Sequence, residues 1–231
     1  MIIALSKTAV LVSFREPARM ASSASVTGGF VTSRVIVNLR TTSAQTLKNT
    51  PEELIERYTT RKRLGPGVVG LLTAAPLEYT QCVLKDEGGI KVLALVTAGA
   101  SNALNVSERT PVPHSGGPFS ATGTINTILV TDAEIADECM ISTVITATEA
   151  KTAALLDLRV RSATTGGQAT GTGTDAIVVV SGKGAPIRYA GGHTLYGQLV
   201  GEAVHTAVSR ALMKRRQDPA VLKDACGAFD L

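Results

Sequence analysis

Gly123-Thr124-Ile125-Asn126-Thr127-Ile128-Leu129-Val130-Thr131-Asp132-Ala133-Glu134 is the stretch on which the reading of this chain turns. Thr124 to Val130 is short, apolar and rich in β-branched residues, the pattern of a strand. Thr131-Asp132-Ala133-Glu134 follows with the spacing of a capping box, which predicts a helix opening there and running to about Leu158. A strand running straight into a helix marks an α/β fold, and the flanking sequence repeats both kinds of element.

Toward the N-terminus, Thr8 to Phe14 and Arg34 to Leu39 read as strands. Thr50-Pro51-Glu52-Glu53 offers an N-cap, a proline at the first helical position and a glutamate for a second capping box. That helix should run to about Arg63 and stop at Gly65-Pro66-Gly67. Val68 to Thr73 is the next strand. Glu78 to Lys85 and Ile90 to Thr97 flank Asp86-Glu87-Gly88-Gly89 as a hairpin. Residues 103 to 122, with three prolines and paired glycines, read as a long loop of the kind that is usually functional or mobile. Beyond the central stretch, Asp175 to Ser181 is a strand. Leu195 to about Arg216 carries the apolar stripe of a long helix, and a short helix follows Asp218-Pro219. Strands and helices interleave without strict alternation. The expected architecture is therefore a single α/β domain over residues 1–231. Its mixed sheet, or two stacked sheets, would be covered by helices in an αββα-like arrangement.

Composition narrows the function. With 44% apolar residues in 231, the chain can bury a substantial core, and it has no apolar run long enough to span a membrane. The start lacks a basic region, which argues against a secretory leader. Cys82, Cys139 and Cys226 are widely spaced and odd in number, so they read as reduced thiols of a cytoplasmic protein. A net charge of +4, with four Phe, four Tyr and no Trp, gives little for nucleic acid to stack on. Arg61-Lys62-Arg63 and Lys214-Arg215-Arg216 fall at predicted helix ends, where cations suit the dipole. The 22 glycines gather with Ser, Thr and Ala between the strands, a composition suited to a small-molecule pocket.

Several of those clusters together resemble one family. Gly123 to Asp132, Thr146-Ala147-Thr148-Glu149-Ala150-Lys151 through Leu155, Ala169-Thr170-Gly171-Thr172-Gly173-Thr174-Asp175-Ala176 and Tyr189-Ala190-Gly191-Gly192-His193-Thr194 are similar to motifs of the adenosylcobinamide amidohydrolases. Ser22-Ser23-Ala24 with Thr27-Gly28-Gly29, Gly70 to Ala75 and Thr97-Ala98-Gly99-Ala100-Ser101-Asn102 match in kind and order. The resemblance runs from about Val12 to Ala211. It implies hydrolysis of adenosylcobinamide to adenosylcobyric acid and 1-amino-2-propanol in cobalamin salvage, with the corrinoid as substrate and no separate cofactor. The order of Gly-Thr, strand, helix and Thr-Gly-Thr-Gly-Thr-Asp is also similar to aminopeptidases and ornithine acetyltransferases that cleave themselves before a Ser or Thr nucleophile.

Amide hydrolysis needs a nucleophile, a proton carrier and donors for the oxyanion. The catalytic candidates are Thr124 as nucleophile, Asn126 as oxyanion donor (a role open to Asn102 as well), Glu149, and His193 as general acid or corrinoid contact. Thr124 could equally be a strand start with a local hydrogen bond, and His193 a surface or capping residue. Ser23, Gly99, Ser101, Asn102, Gly171, Thr172, Gly173 and Asp175 are the substrate-binding candidates, with turn formation as the competing role of Asn102, Asn126 and Asp175. Glu149 and Lys151 lie two apart on a helix and cannot both face one pocket. Lys151 is expected to be solvated or ion-paired, and His205 solvated. His114, in the proline-rich loop, could close over substrate. No metal site is expected, since no ligand motif is present. Partners would be the corrinoid, neither nucleic acid nor membrane, with self-association left open. Two alternatives stand beside the hydrolase: a corrinoid-binding protein without catalysis, and a self-processing aminopeptidase-like enzyme.

Overall fold

A computed structural model describes residues 1–109 and 123–229. Its strands are β1 (Ile2–Leu5), β2 (Ala9–Ser22), β3 (Gly29–Arg40), β4 (Val69–Thr73), β5 (Gln81–Glu87), β6 (Ile90–Ala98), β7 (Ala103–Leu104), β8 (Ile125–Thr131), β9 (Glu134–Ile135), β10 (Gly171–Thr172), β11 (Ala176–Val180) and β12 (Pro186–Ile187). The helices are α1 (Ser43–Thr46), α2 (Pro51–Lys62), α3 (Asp137–Asp157), α4 (Leu195–Leu212) and α5 (Pro219–Gly227). One mixed sheet runs β4-β3-β2-β11-β8-β6-β5, with β1 added to β2. β3 with β4 and β8 with β11 are its parallel pairs.

β2 turns this one sheet into two layers. Its register against β3 shifts between Ser13 and Ala18, around Arg15-Glu16-Pro17. A bulge bends its strand, and proline withdraws a ladder donor at the same place. The first half of β2 stays with β1, β3 and β4. The second half pairs with β11, which carries β8, β6 and β5. The halves stack face to face, so that Val10, Val12, Ile36, Val69 and Leu71 meet Leu93, Leu95, Ile128, Val130, Val178 and Val180 in one buried cluster. α2 covers the outside of the first layer with Leu54, Ile55 and Tyr58 on Val37 and Leu39. α3 and α4 cover the outside of the second with Ala147, Ala154, Leu199, Val200 and Ala203 on Val92, Ala94, Leu129 and Val179. The result is a four-layer αββα stack with α5 closing part of the inter-sheet core through Ala225. Burying a Val, Leu or Ile contributes about 1.5–3 kcal/mol, so three such interfaces are the main support of the fold.

The Thr50 capping box forms as expected, with Thr50 Oγ1 accepting from Glu53 N and Glu53 returning a carboxylate to Thr50 N. α2 ends at Arg63, which takes the left-handed conformation before Gly65 is reached. The second capping box does not form. Thr131 ends β8 and Glu134 enters β9, so α3 begins at Asp137 behind an Ala136 N-cap that has no side-chain bond. The expected cap residues have other partners: Asp132 Oδ1 accepts from Lys91 N at 2.8 Å, and Thr131 Oγ1 from Ala133 N. α4 stops at Leu212, four residues short of Arg216. β2 and β3 run well past their expected ends.

Among the described residues, no helix is long and apolar enough to cross a membrane. Cys82 and Cys139 are buried free thiols, and Cys226 is half-buried. Burial pushes the Cys82 thiol up to about 12, with Cys226 adding a smaller push.

Candidate active site

Alternation along β8 decides which side chains can meet. Ile125 and Leu129 point toward α3 and α4, whereas Ile128 and Val130 point into the space between the layers, and Asn126 shares their parity. Thr124, two residues before Asn126, lies on the same side. Thr97 is the register partner of Asn126 on β6 and has the parity of Leu93 and Leu95. On β3, Asn38 follows Ile36 inward. β4 is an edge strand, which leaves the Leu72 carbonyl available.

These groups form one buried chain of hydrogen bonds. Asn38 Nδ2 donates to Thr97 Oγ1 at 2.9 Å. Asn126 Nδ2 donates to Asn38 Oδ1 at 2.9 Å and to the Leu72 carbonyl at 2.7 Å. The Thr124 hydroxyl has two acceptors within reach, the Thr174 carbonyl at 2.7 Å and Asn126 Oδ1 at 3.2 Å, and its one hydrogen serves either of them. Both amide hydrogens of Asn126 are committed, so this residue is an acceptor beside Thr124. Neither of those hydrogens points at the cleft as an oxyanion donor's would.

Thr124 and Asn126 lie on a cleft of about 270 Å³ that opens between the layers at this end of the sheets. Ser25, Thr41, Thr42, Ser43, Thr46, Thr73 and Thr174 supply its other polar side chains. None of the described residues lining it is charged. Thr174 spans the backbone just before β8: its carbonyl holds the Thr124 hydroxyl, and its own hydroxyl donates to the Gly123 carbonyl at 3.2 Å.

Behind Thr124, on the α3 side, Asp175 fixes the start of β8. Its carboxylate accepts from Ile125 N at 3.0 Å, Thr172 N at 3.0 Å, Thr172 Oγ1 at 2.5 Å and Lys151 Nζ at 2.5 Å. The Lys151 and Asp175 side chains are each 15% exposed. Gly123 is the one residue type that fits where it stands, because a Cβ there would come within 2.1 Å of Asn102 Oδ1 and 2.9 Å of the Gly99 carbonyl. Asn102 Oδ1 is buried and has no hydrogen-bond partner among the described residues.

The expected site residues divide accordingly. Thr124 and Asn126 come together; Gly99, Asn102 and Asp175 stand behind them. Glu149 lines a separate groove between α3 and α4, and His193 is exposed in the turn before α4. Neither of them lines the cleft. Ser23 is exposed and extends the β2–β11 ladder, accepting from Ile177 N at 2.9 Å; Ser25 faces the cleft instead. Ser101 is exposed in a turn. Gly171 and Thr172 pair with β7 and pack on Asp175, and Gly173 sits near Leu104 and Asn102. None of these last three lines the cleft. Lys151 is ion-paired as expected, and His205 is bound to Asp157 Oδ2 at 2.9 Å. His114 lies outside the described residues.

The sequence reading missed Asn38, Thr73 and Thr174. Asn38 carried a usable signal, since Arg34 to Leu39 is otherwise an apolar inner strand and a buried amide there requires a partner.

Residues 3–220 match the family model described as adenosylcobinamide amidohydrolase. An adenosylcobinamide amidohydrolase of Methanosarcina mazei is 32% identical over 175 residues, covering 71% of this chain and 76% of that protein. An uncharacterized protein of Methanocaldococcus jannaschii is 37% identical over 159 residues, 63% of this chain and 62% of the relative's length. In fold, the chain is similar at TM-score 0.39 and 12% identity to an L-aminopeptidase D-Ala-esterase/amidase of Ochrobactrum anthropi, over 92% of this chain and 82% of that one. By the span of the family match and the M. mazei identity, this chain belongs to the adenosylcobinamide amidohydrolase family.

Proposed function

We propose that the protein cleaves the aminopropanol amide of adenosylcobinamide, giving adenosylcobyric acid and 1-amino-2-propanol, with Thr124 as nucleophile and a place in corrinoid salvage. The observation that carries this reading is a threonine hydroxyl on a neutral, hydroxyl-lined cleft in a chain of this family. Thr124 Oγ would attack the amide carbon, the C–N bond would break, and the amine would leave with the hydroxyl proton. Water would then hydrolyse the ester and restore Thr124. At about 270 Å³ the cleft falls below the roughly 300–1,000 Å³ of pockets that bury drug-sized ligands. It therefore suits the aminopropanol arm, with the corrin ring resting outside. Neutral donors and acceptors suit such an amide-fringed, uncharged arm. Release of 1-amino-2-propanol from adenosylcobinamide by the purified protein tests this; binding without release points to a corrinoid carrier.

One observation favours a second reading alongside it. None of the described residues on the cleft is a His, Asp, Glu or Lys that could carry the proton. Thr174 meanwhile contacts both sides of the Gly123–Thr124 bond. If Thr124 Oγ adds to the Gly123 carbonyl, with Thr174 Oγ1 donating to the oxyanion, the C–N bond breaks to an ester and a free Thr124 amine. Water then releases the Gly123 carboxylate. The freed amine would serve as proton carrier in turnover. Intact mass distinguishes the two readings: fragments 1–123 and 124–231 support self-cleavage, and a single chain that is fully active opposes it.

A further inference from the structure

We propose that Asn38 is a positioning residue that, together with the Leu72 carbonyl, fixes which end of the Asn126 amide faces the Thr124 hydroxyl. The inference rests on Thr124 being the nucleophile. A backbone carbonyl only accepts hydrogen bonds, so the atom of Asn126 lying 2.7 Å from Leu72 O must be Nδ2. The second hydrogen of that nitrogen goes to Asn38 Oδ1. Asn38 is oriented in turn by its own donation to Thr97 Oγ1. Asn126 Oδ1 is then left facing Thr124. A flipped Asn126 would set its oxygen against the Leu72 carbonyl, leaving two acceptors without a donor. Asn38, Asn126 and Thr97 are 2%, 1% and 2% exposed, so a lost partner leaves a buried polar group unsatisfied. The chain thus presents Thr124 with an acceptor of fixed orientation, which with the Thr174 carbonyl limits where the single hydroxyl hydrogen can point at the cleft floor.

Substitution at positions 38 and 97 separates this role from simple packing. Asn38→Leu removes both bonds at similar volume, whereas Asn38→Asp still accepts from Asn126 Nδ2 in either protonation state and preserves the polarity of the chain. Thr97→Val and Thr97→Ser form a second, milder pair that tests the same chain if Asn38→Leu folds poorly. The measurements are kcat and KM for amine release from adenosylcobinamide, normalised to folded protein by circular dichroism. Asn38→Leu should lower kcat about tenfold to a hundredfold while KM moves little, as expected for a misplaced reacting group. Asn38→Asp should recover most of that loss, and Thr97→Ser should exceed Thr97→Val. The proposal is overturned if kcat per folded molecule is unchanged in both Asn38→Leu and Thr97→Val, or if Asn38→Asp is as impaired as Asn38→Leu. Should the wild-type protein release no amine, the hydrolase reading itself fails, and this assignment fails with it.

Discussion

Asn38 and Asn126, 88 residues apart in sequence, meet amide to amide at 2.9 Å between the two sheet layers. The bend in β2 makes this possible, because it folds β3 over β8 although two strands, β2 and β11, lie between them in the sheet order. The site is a product of that fold: Thr97 and Asn126 come from one layer, Asn38 and Leu72 from the other, and Thr124 lies where they converge.

Asp175 ties this floor to α3, and its loss should be felt first in stability. Asp175→Ala leaves Lys151 without its anion at 15% exposure and frees Ile125 N and Thr172. Breaking a buried pair in this way costs about 3–5 kcal/mol. Denaturant unfolding should show a loss of that order. A loss below about 1 kcal/mol would mean that the carboxylate does not secure β8.

Gly123 and Gly173 should behave oppositely, although both sit in small-residue motifs. A Cβ at Gly123 meets Asn102 Oδ1 and the Gly99 carbonyl, whereas one at Gly173 meets Leu104 and Asn102 only at 3.8 and 3.9 Å. Gly123→Ala should destabilise by about 1–3 kcal/mol through overpacking, with Gly173→Ala near neutral. Thermal melting of the two variants checks the contrast, and an equal shift in both would refute it.

Glu149→Gln and His193→Ala should leave kcat for amine release within about twofold of wild type, since both side chains lie away from the cleft. A thousandfold fall in the Glu149 variant would place the chemistry on the α3–α4 groove, and one in the His193 variant would place it at the turn before α4; either result would remove Thr124 from its centre.

Cys82 sets an alkaline limit on stability. Its thiol ionises near 9 when unperturbed but is pushed up to about 12 in the fold by burial. Between those values the unfolded chain sheds a proton that the folded chain keeps, so stability falls as pH rises from about 9 toward 12. Urea midpoints should decline over that window in the wild type and more gently in Cys82→Ala. Parallel declines in the two proteins would show that the thiol has no part in it.

Much of the fold was legible because it is local. The Thr50 capping box, the β5–β6 hairpin and the stripe of α4 each depend on residues within a few positions of one another. The false helix start at Thr131 failed for a non-local reason, since Lys91 on a neighbouring strand takes the carboxylate of Asp132. At the candidate site, Thr124 and Asn126 stand out in the sequence from their place at a strand start, and the structure brings the two side chains together. Local pattern marks Asn38 as an amide in need of a partner, but which partner it and Thr174 find depends on the stacking of the layers and on contacts across 50 residues or more. Glu149 shares a helix face with small residues, but helical phase alone does not say on which side of the sheet that helix packs.

The account rests above all on the Thr124 hydroxyl. Thr124→Ala should lower the rate of 1-amino-2-propanol release from adenosylcobinamide about a thousandfold or more, while the unfolding free energy changes by only about 1 kcal/mol for one lost hydrogen bond. A folded Thr124→Ala protein that releases the amine at the wild-type rate would contradict it.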